Sequence, residues 1–133
     1  MPGIFSRIIS GELPCHKIAE NERFLAFLDV FPLRHGHVLV IPKQEIDNIF
    51  DLDSELYSDL WSFAAEIAPA IKKAFPCVKV GVAVIGLEVA HAHIHLIPIN
   101  NIGDINFEKP KMKPSAQELE LSAEKIRKFL DKA

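Results

Sequence analysis

The stretch "AHAHIHLIPI", residues 90–99, limits what this chain can fold into more than any other, because it alternates without a slip. His91, His93 and His95 stand at every second position, with Ala92, Ile94 and Leu96 between them. A period of two belongs to a β-strand, whose successive side chains point to opposite faces. Such a strand has an imidazole face and an apolar face. The apolar face must be buried against another element. The imidazole face must meet solvent, a ligand or other polar groups, because an unpaired buried imidazole is costly.

A long helix is the natural cover for the apolar face. Leu56, Leu60, Phe63, Ile67 and Ile71 recur at spacings of four and three, which predicts a helix from Ser54 to Phe75. Asp53 or Ser54 is its N-cap. Pro69 removes a backbone donor inside this run and predicts a kink or a break into two pieces.

The remaining segments are short. "IFSRIISG" (4–11) reads as a short helix ended by Gly11. "HKIAEN" (16–21) and "RFLAFLDV" (23–30) read as a strand pair turning near Asn21. "FPLRHG" (31–36) is a loop, "HVLVIP" (37–42) a strand, and "VKVGVAVIG" (78–86) a strand joined to 90–99 near Gly86. "KPKMKP" (109–114) is a Pro-rich connector, and residues 115–132 form a charged helix with Leu119, Ala123, Ile126 and Leu130 on one side. Strands, a long helix, strands and a helix predict an α+β domain with a largely antiparallel sheet, spanning 1–133 as one unit.

Charge and composition exclude some classes. Fifteen Lys and Arg against eighteen Asp and Glu give a net charge of -3, which argues against a nucleic-acid or anionic-membrane surface. The longest apolar runs, such as "VGVAVIGL", are too short to span a bilayer. The first residues carry no signal-peptide pattern, and Cys15 and Cys77 form no CxxC. Two free thiols in a cytoplasmic protein are the expectation.

Three readings of the histidines follow. They can be scattered surface or core residues, a poor account of strict alternation in a chain with six His. They can bind metal, but same-face residues four apart are about 13 Å apart, so His91 and His95 can hardly reach one ion. Ligands would have to come from Cys15, Cys77, His37 or Glu88, none at a ligand spacing. They can also serve covalent catalysis. One neutral imidazole attacks phosphorus while its neighbours donate to phosphate oxygens.

"HAHIHLI" resembles the His-φ-His-φ-His-φ-φ signature of the histidine triad (HIT) proteins, φ being apolar. "IFSRIISGELPCHKIAENERFLAFLDV" and "GHVLVIPKQEIDNIFDL" resemble other segments of that family in order and spacing, so the likeness covers most of 4–99. The opening looks like the Hint-type branch. The resemblance implies a homodimeric HIT-like α+β fold. It implies hydrolysis or transfer of nucleoside monophosphate groups, with a purine nucleotide or a nucleoside monophosphate conjugate as the partner molecule. It implies no cofactor. By position, His93 is the implied nucleophile, His95 contacts phosphate or leaving group, His91 orients the site and His37 is the additional histidine on a neighbouring strand. Asp29 is the implied ribose carboxylate, and Ile4, Phe5, Ile8, Phe27 and Val30 the apolar wall around the base.

The departures from the pattern are local. Where the family often has Asn, eleven positions before the first triad histidine, this chain has Val80. The usual "AGQ-[ST]-V" reads "IGLEV": Gly86 is kept as a phosphate-loop residue, but Leu87 and Glu88 replace the polar donors. Glu88 beside a phosphate is repulsive if it faces the pocket, and only a turn residue if it faces solvent. A nucleotide-binding regulatory protein of the same fold, with little activity, is therefore the alternative function. Many bacterial members hold zinc with a CxxC and a later His. Here those positions are Gly3, Ser6 and Glu45, so no metal is expected.

Overall fold

The computed structural model describes residues 2–130. Among these residues three α-helices and five strands occur in the order α1 (Ile4–Ile9), β1 (Lys17–Glu20), β2 (Phe24–Leu28), β3 (Val38–Pro42), α2 (Ser54–Ala74), β4 (Lys79–Ala83), β5 (Ile94–Ile99) and α3 (Ala116–Leu130). The strands form one sheet in the order β1-β2-β3-β5-β4, every pair antiparallel. The predicted α+β class is the observed one. The final residues of the predicted last helix, 131 and 132, lie outside the described residues.

The two faces of the sheet have different jobs. Phe24, Ala26 and Leu28 of β2, Val38 and Val40 of β3, and Ile94 and Leu96 of β5 are buried in a core with Leu60, Ile67 and Ile71 of α2. This is the predicted burial of the apolar face against the long helix. The intervening residues Leu25, Phe27, Leu39 and Ile41 pack with Phe5 of α1 on the opposite face. β2 and β3 are thus buried on both sides, which explains their lack of apolar-polar alternation.

Two expectations need correction. Helix α2 is continuous across Pro69 rather than broken into two pieces. Pro69 and Ala65, whose carbonyl loses its donor, are both exposed, so water can satisfy that carbonyl while Ala64, Ile67, Ala70 and Ile71 hold the helix to the core. The helix starts as expected, with Asp53 Oδ1 accepting the Leu56 N–H at 2.8 Å. The histidine strand is shorter than 90–99: β5 begins only at Ile94, so His91 and His93 precede it. β3 pairs through Val40↔Ile94 and ends at Pro42, which has no N–H to continue the ladder. The freed carbonyl of Pro42 is bonded to His91 Nε2 at 2.7 Å instead, and the Ala92 N–H turns to Ile46 O at 2.7 Å.

Candidate active site

The four predicted histidines lie in one buried row on the sheet face opposite α2. His37 and His91 are almost wholly inaccessible, and His93 and His95 are each 7 % exposed. β3 and β5 bring His37 against His95, with ring centroids 5.1 Å apart. His93 follows at 4.9 Å from His95. Phe5 of α1 closes the far end, edge-on to His93 at 5.2 Å and to His91 at 5.5 Å.

Fixed donors and acceptors determine which nitrogens carry hydrogen in the neutral rings. The Leu33 N–H donates to His37 Nδ1 at 3.1 Å, so His37 carries its proton on Nε2. That Nε2–H donates to His95 Nδ1 at 2.9 Å, which leaves the proton of His95 on Nε2. His93 Nδ1 lies 2.7 Å from the His91 carbonyl, an acceptor only, so Nδ1–H donates and Nε2 keeps its lone pair. His91 Nε2–H donates to Pro42 O, and its buried Nδ1 has no partner among the described residues. One row therefore offers a free imidazole lone pair on His93 and an Nε2–H donor on His95.

Burial enforces neutrality. His37 and His95 are both pushed down to about 3, burial being the largest cause for each. The charge of a protonated His95 is the next cause for His37, and that of His93 for His95. His91 is lowered by burial, against its bond to Pro42 O and the nearby Glu45. Burial raises Asp29, whose Oδ2 lies 3.7 Å from His37 Nε2 and whose Oδ1 accepts the Phe31 N–H at 3.0 Å.

The residues expected around a nucleoside divide into two groups. Phe5 and Phe27 are buried edge-to-face at 5.5 Å, with Ile8 packed against them. Ile4 and Val30 are about half exposed and lie outside that cluster. Val89 packs into it and escaped the sequence reading because a lone valine in a loop carries no signal. Gly86 takes a φ of +73°, which glycine adopts without strain. Leu87 is 89 % exposed, and Glu88 is exposed with its charge reaching Asp29. His93 also lines a cavity of about 250 Å³ with Asp47, Asn48, Phe50, Ile85 and Gly86.

The zinc positions do not fit zinc. Gly3 offers no side chain, and its N–H donates to Glu45 Oε1 at 3.0 Å, while the Ser6 hydroxyl donates to the same oxygen. A hydrogen-bonded clamp between α1 and the loop after β3 occupies the place of a thiolate set. Among the described residues, Asp29, His37 and His95 are the one trio of potential ligands within 4.8 Å of one another. Both nitrogens of His37 and Nδ1 of His95 are engaged in hydrogen bonds with each other and with Leu33, which a cation would disrupt.

Sequence reasoning missed Phe107, which falls beside the segment read as a plain connector. The Phe107 ring stands edge-on to His95 at 4.7 Å and to His37 at 6.2 Å. Nothing in "NFEKPKMKP" signals that it folds back over a strand lying before it in the chain.

Comparison with known proteins bears out the fold. A model of the HIT domain matches residues 10–102. An uncharacterized HIT-like protein of Helicobacter pylori is 39 % identical over 97 residues, covering 71 % of this chain and 93 % of that one. An adenosine 5'-monophosphoramidase of Schizosaccharomyces pombe is 34 % identical over 102 residues, covering 76 % and 77 %. A Hit-like protein from Bartonella henselae, described as involved in cell-cycle regulation, superposes with a TM-score of 0.82 at 32 % identity, covering 95 % of each chain.

Proposed function

The chain belongs to the histidine triad family, and we propose that within it this protein hydrolyses or transfers nucleoside monophosphate groups. The substrate class is a nucleoside phosphoramidate or a related nucleotidyl compound, cut at the α-phosphate. The observation that carries this reading is the proton arrangement: His93 Nε2 is a lone pair, and the adjacent His95 bears its hydrogen on Nε2. The similarity to an adenosine 5'-monophosphoramidase supports it.

In the proposed reaction, His93 Nε2 attacks phosphorus and the bond to the leaving nitrogen breaks. The leaving amine takes up a proton from solvent, while the neutral His95 keeps its Nε2 proton and donates it as a hydrogen bond to the phosphate. A nucleotidyl group is now bonded to His93. Water attacks the phosphorus of this adduct and gives up its proton to solvent, and His93 leaves as a neutral imidazole. His37 holds His95 in the required tautomer, and the His91 carbonyl does so for His93. Asp29 serves the ribose, with Phe5, Phe27, Ile8, Ile4 and Val30 around the base.

The working unit proposed is a homodimer. Among the described residues β4 is an edge strand without a second neighbour, and Val82, Val84 and Ile85 on or after it are exposed. Phe50 is 78 % exposed beside Tyr57, which in turn packs on Trp61. A second copy would cover this edge and apolar surface. Among the described residues no helix is long and apolar enough to cross a membrane, and Cys15 and Cys77 are unpaired, which suits the proposed cytoplasmic setting.

A binding protein with little activity is the second reading, favoured by the absence of polar donors at Leu87 and Glu88. Turnover of an adenosine phosphoramidate separates the two. Wild type should turn it over with a trappable adduct, and His93→Ala should lose nearly all turnover while still binding AMP. Unchanged kcat in His93→Ala overturns the nucleophile assignment, and AMP binding without turnover in wild type selects the second reading.

A further inference from the structure

The proposed site has a charge deficit. Its substrate brings a negative α-phosphate, while Asp29 and Glu88 are carboxylates on the same side. His37 and His95, held down to about 3, are neutral near pH 7 and offer dipoles rather than charge. Anion binding here calls for a cation, and the phosphate-loop positions 87 and 88 supply none.

The segment after β5 brings one. Asn106 begins a tight turn, its Oδ1 accepting the Glu108 N–H at 3.0 Å and its carbonyl the Lys109 N–H at 3.2 Å. The turn places the Phe107 ring over His95 and His37. Further on, the Met112 N–H donates to Pro32 O at 2.9 Å, which ties the segment to the 31–36 loop. Lys111 lies between these two anchors, half-buried, with Nζ 3.1 Å from Phe107 O and 6.0 Å from the Phe107 ring centroid.

An ammonium has three donors, and one is used here. Among the described residues no carboxylate stands within ion-pair distance of Lys111. Arg7, Arg34 and Lys43 are by contrast paired with Glu12, Asp104 and Glu20. Among the described residues, Lys111 is also the one lysine or arginine whose field is felt at Asp29, His37 and His95 alike, opposing protonation of all three. Its four-carbon stem lets the head group swing by several ångströms without moving the backbone.

We propose that Lys111, held beside Phe107 on the 106–112 strap, is the cation that binds the substrate's phosphate. It stands in for the donors that Leu87 and Glu88 do not provide, with Phe107 fixing the strap at His95. This rests on the nucleotide reading above.

The test compares AMP with adenosine, which lacks the phosphate, by calorimetry on the full chain. Lys111→Met keeps most of the stem and removes the charge, Lys111→Arg keeps the charge, and Lys113→Met is a control on the same connector. Lys111→Met should weaken AMP about tenfold or more, the scale of a charge-assisted hydrogen bond. It should leave adenosine within about twofold, while Lys111→Arg and Lys113→Met stay near wild type. Wild-type AMP affinity should also fall with salt while adenosine affinity does not, a readout that stands if Lys111→Met fails to fold. Equal losses for AMP and adenosine make Lys111 only a tie for the strap and overturn the inference, as does no loss for either. Wild type that binds neither compound overturns the nucleotide reading as well, so the two failures are distinct.

Discussion

Acid should unfold this protein through its own histidine row. His37 and His95 are held down to about 3, chiefly by burial, whereas each takes up a proton near 6.5 in the unfolded chain. Below about pH 6.5 the unfolded chain binds protons that the folded chain refuses until about pH 3. Stability therefore falls with pH across that window, by about 1.4 kcal/mol per pH unit for each residue. Between pH 7.5 and 5.5 the pair removes about 2.7 kcal/mol, a large part of the roughly 5–15 kcal/mol that holds a domain folded. His91, lowered by burial, adds in the same direction. Asp29 is raised by burial and works the opposite way, at the lower pH where carboxylates titrate. Urea unfolding at pH 7.5, 6.5 and 5.5 measures the loss. The comparison is His95→Gln, whose carbonyl can still accept from His37 Nε2–H but does not titrate. The variant should lose about half as much stability as wild type over the interval, at an unchanged urea dependence. Parallel losses in the two proteins, or a flat wild-type profile, would refute the assignment of His37 and His95 as neutral buried groups.

Three further outcomes follow from particular contacts. Gly36 has a φ of +90°, and a Cβ there would lie 2.7 Å from Phe75 Cδ2, whereas Gly11, at +87°, has open space. Both alanine variants lose stability by thermal melting, and Gly36→Ala should lose at least about 1 kcal/mol more than Gly11→Ala, which carries backbone strain alone. Val82→Lys, on the free edge of β4, should convert a dimer into a monomer by light scattering, and a wild-type protein that is already monomeric at micromolar concentration removes the proposed interface. Glu45→Ala should lower the melting temperature by releasing α1 from its clamp, and wild-type melting should not respond to zinc or chelator; a zinc-dependent rise would put a metal back at Gly3, Ser6 and Glu45.

The parts of this protein that local physics controls could be read from the chain alone. The period of two in 90–99 tells that Ala92, Ile94 and Leu96 are buried together and that the histidines are not on their side. The spacing of Leu56, Leu60, Phe63, Ile67 and Ile71 gives α2 and its buried stripe, and Asp53 and Asn21 mark a cap and a turn through side chains that bond backbone two or three residues away. Each signal acts within a few residues, where geometry is fixed by the backbone repeat. What tertiary structure decided lies at long separation. The contact of His37 with His95 spans 58 positions and depends on the register Leu39↔His95. The end of the histidine strand was set by Pro42 on its neighbour, and the tolerance of Pro69 by which side of α2 faces water. Phe5 reaches the row from α1 and Phe107 reaches it from the strap, neither with a local pattern to announce it. Proton positions in the row belong to this second class, because a ring's tautomer follows from the partner that folding places at its other nitrogen, and no spacing along the chain encodes that partner.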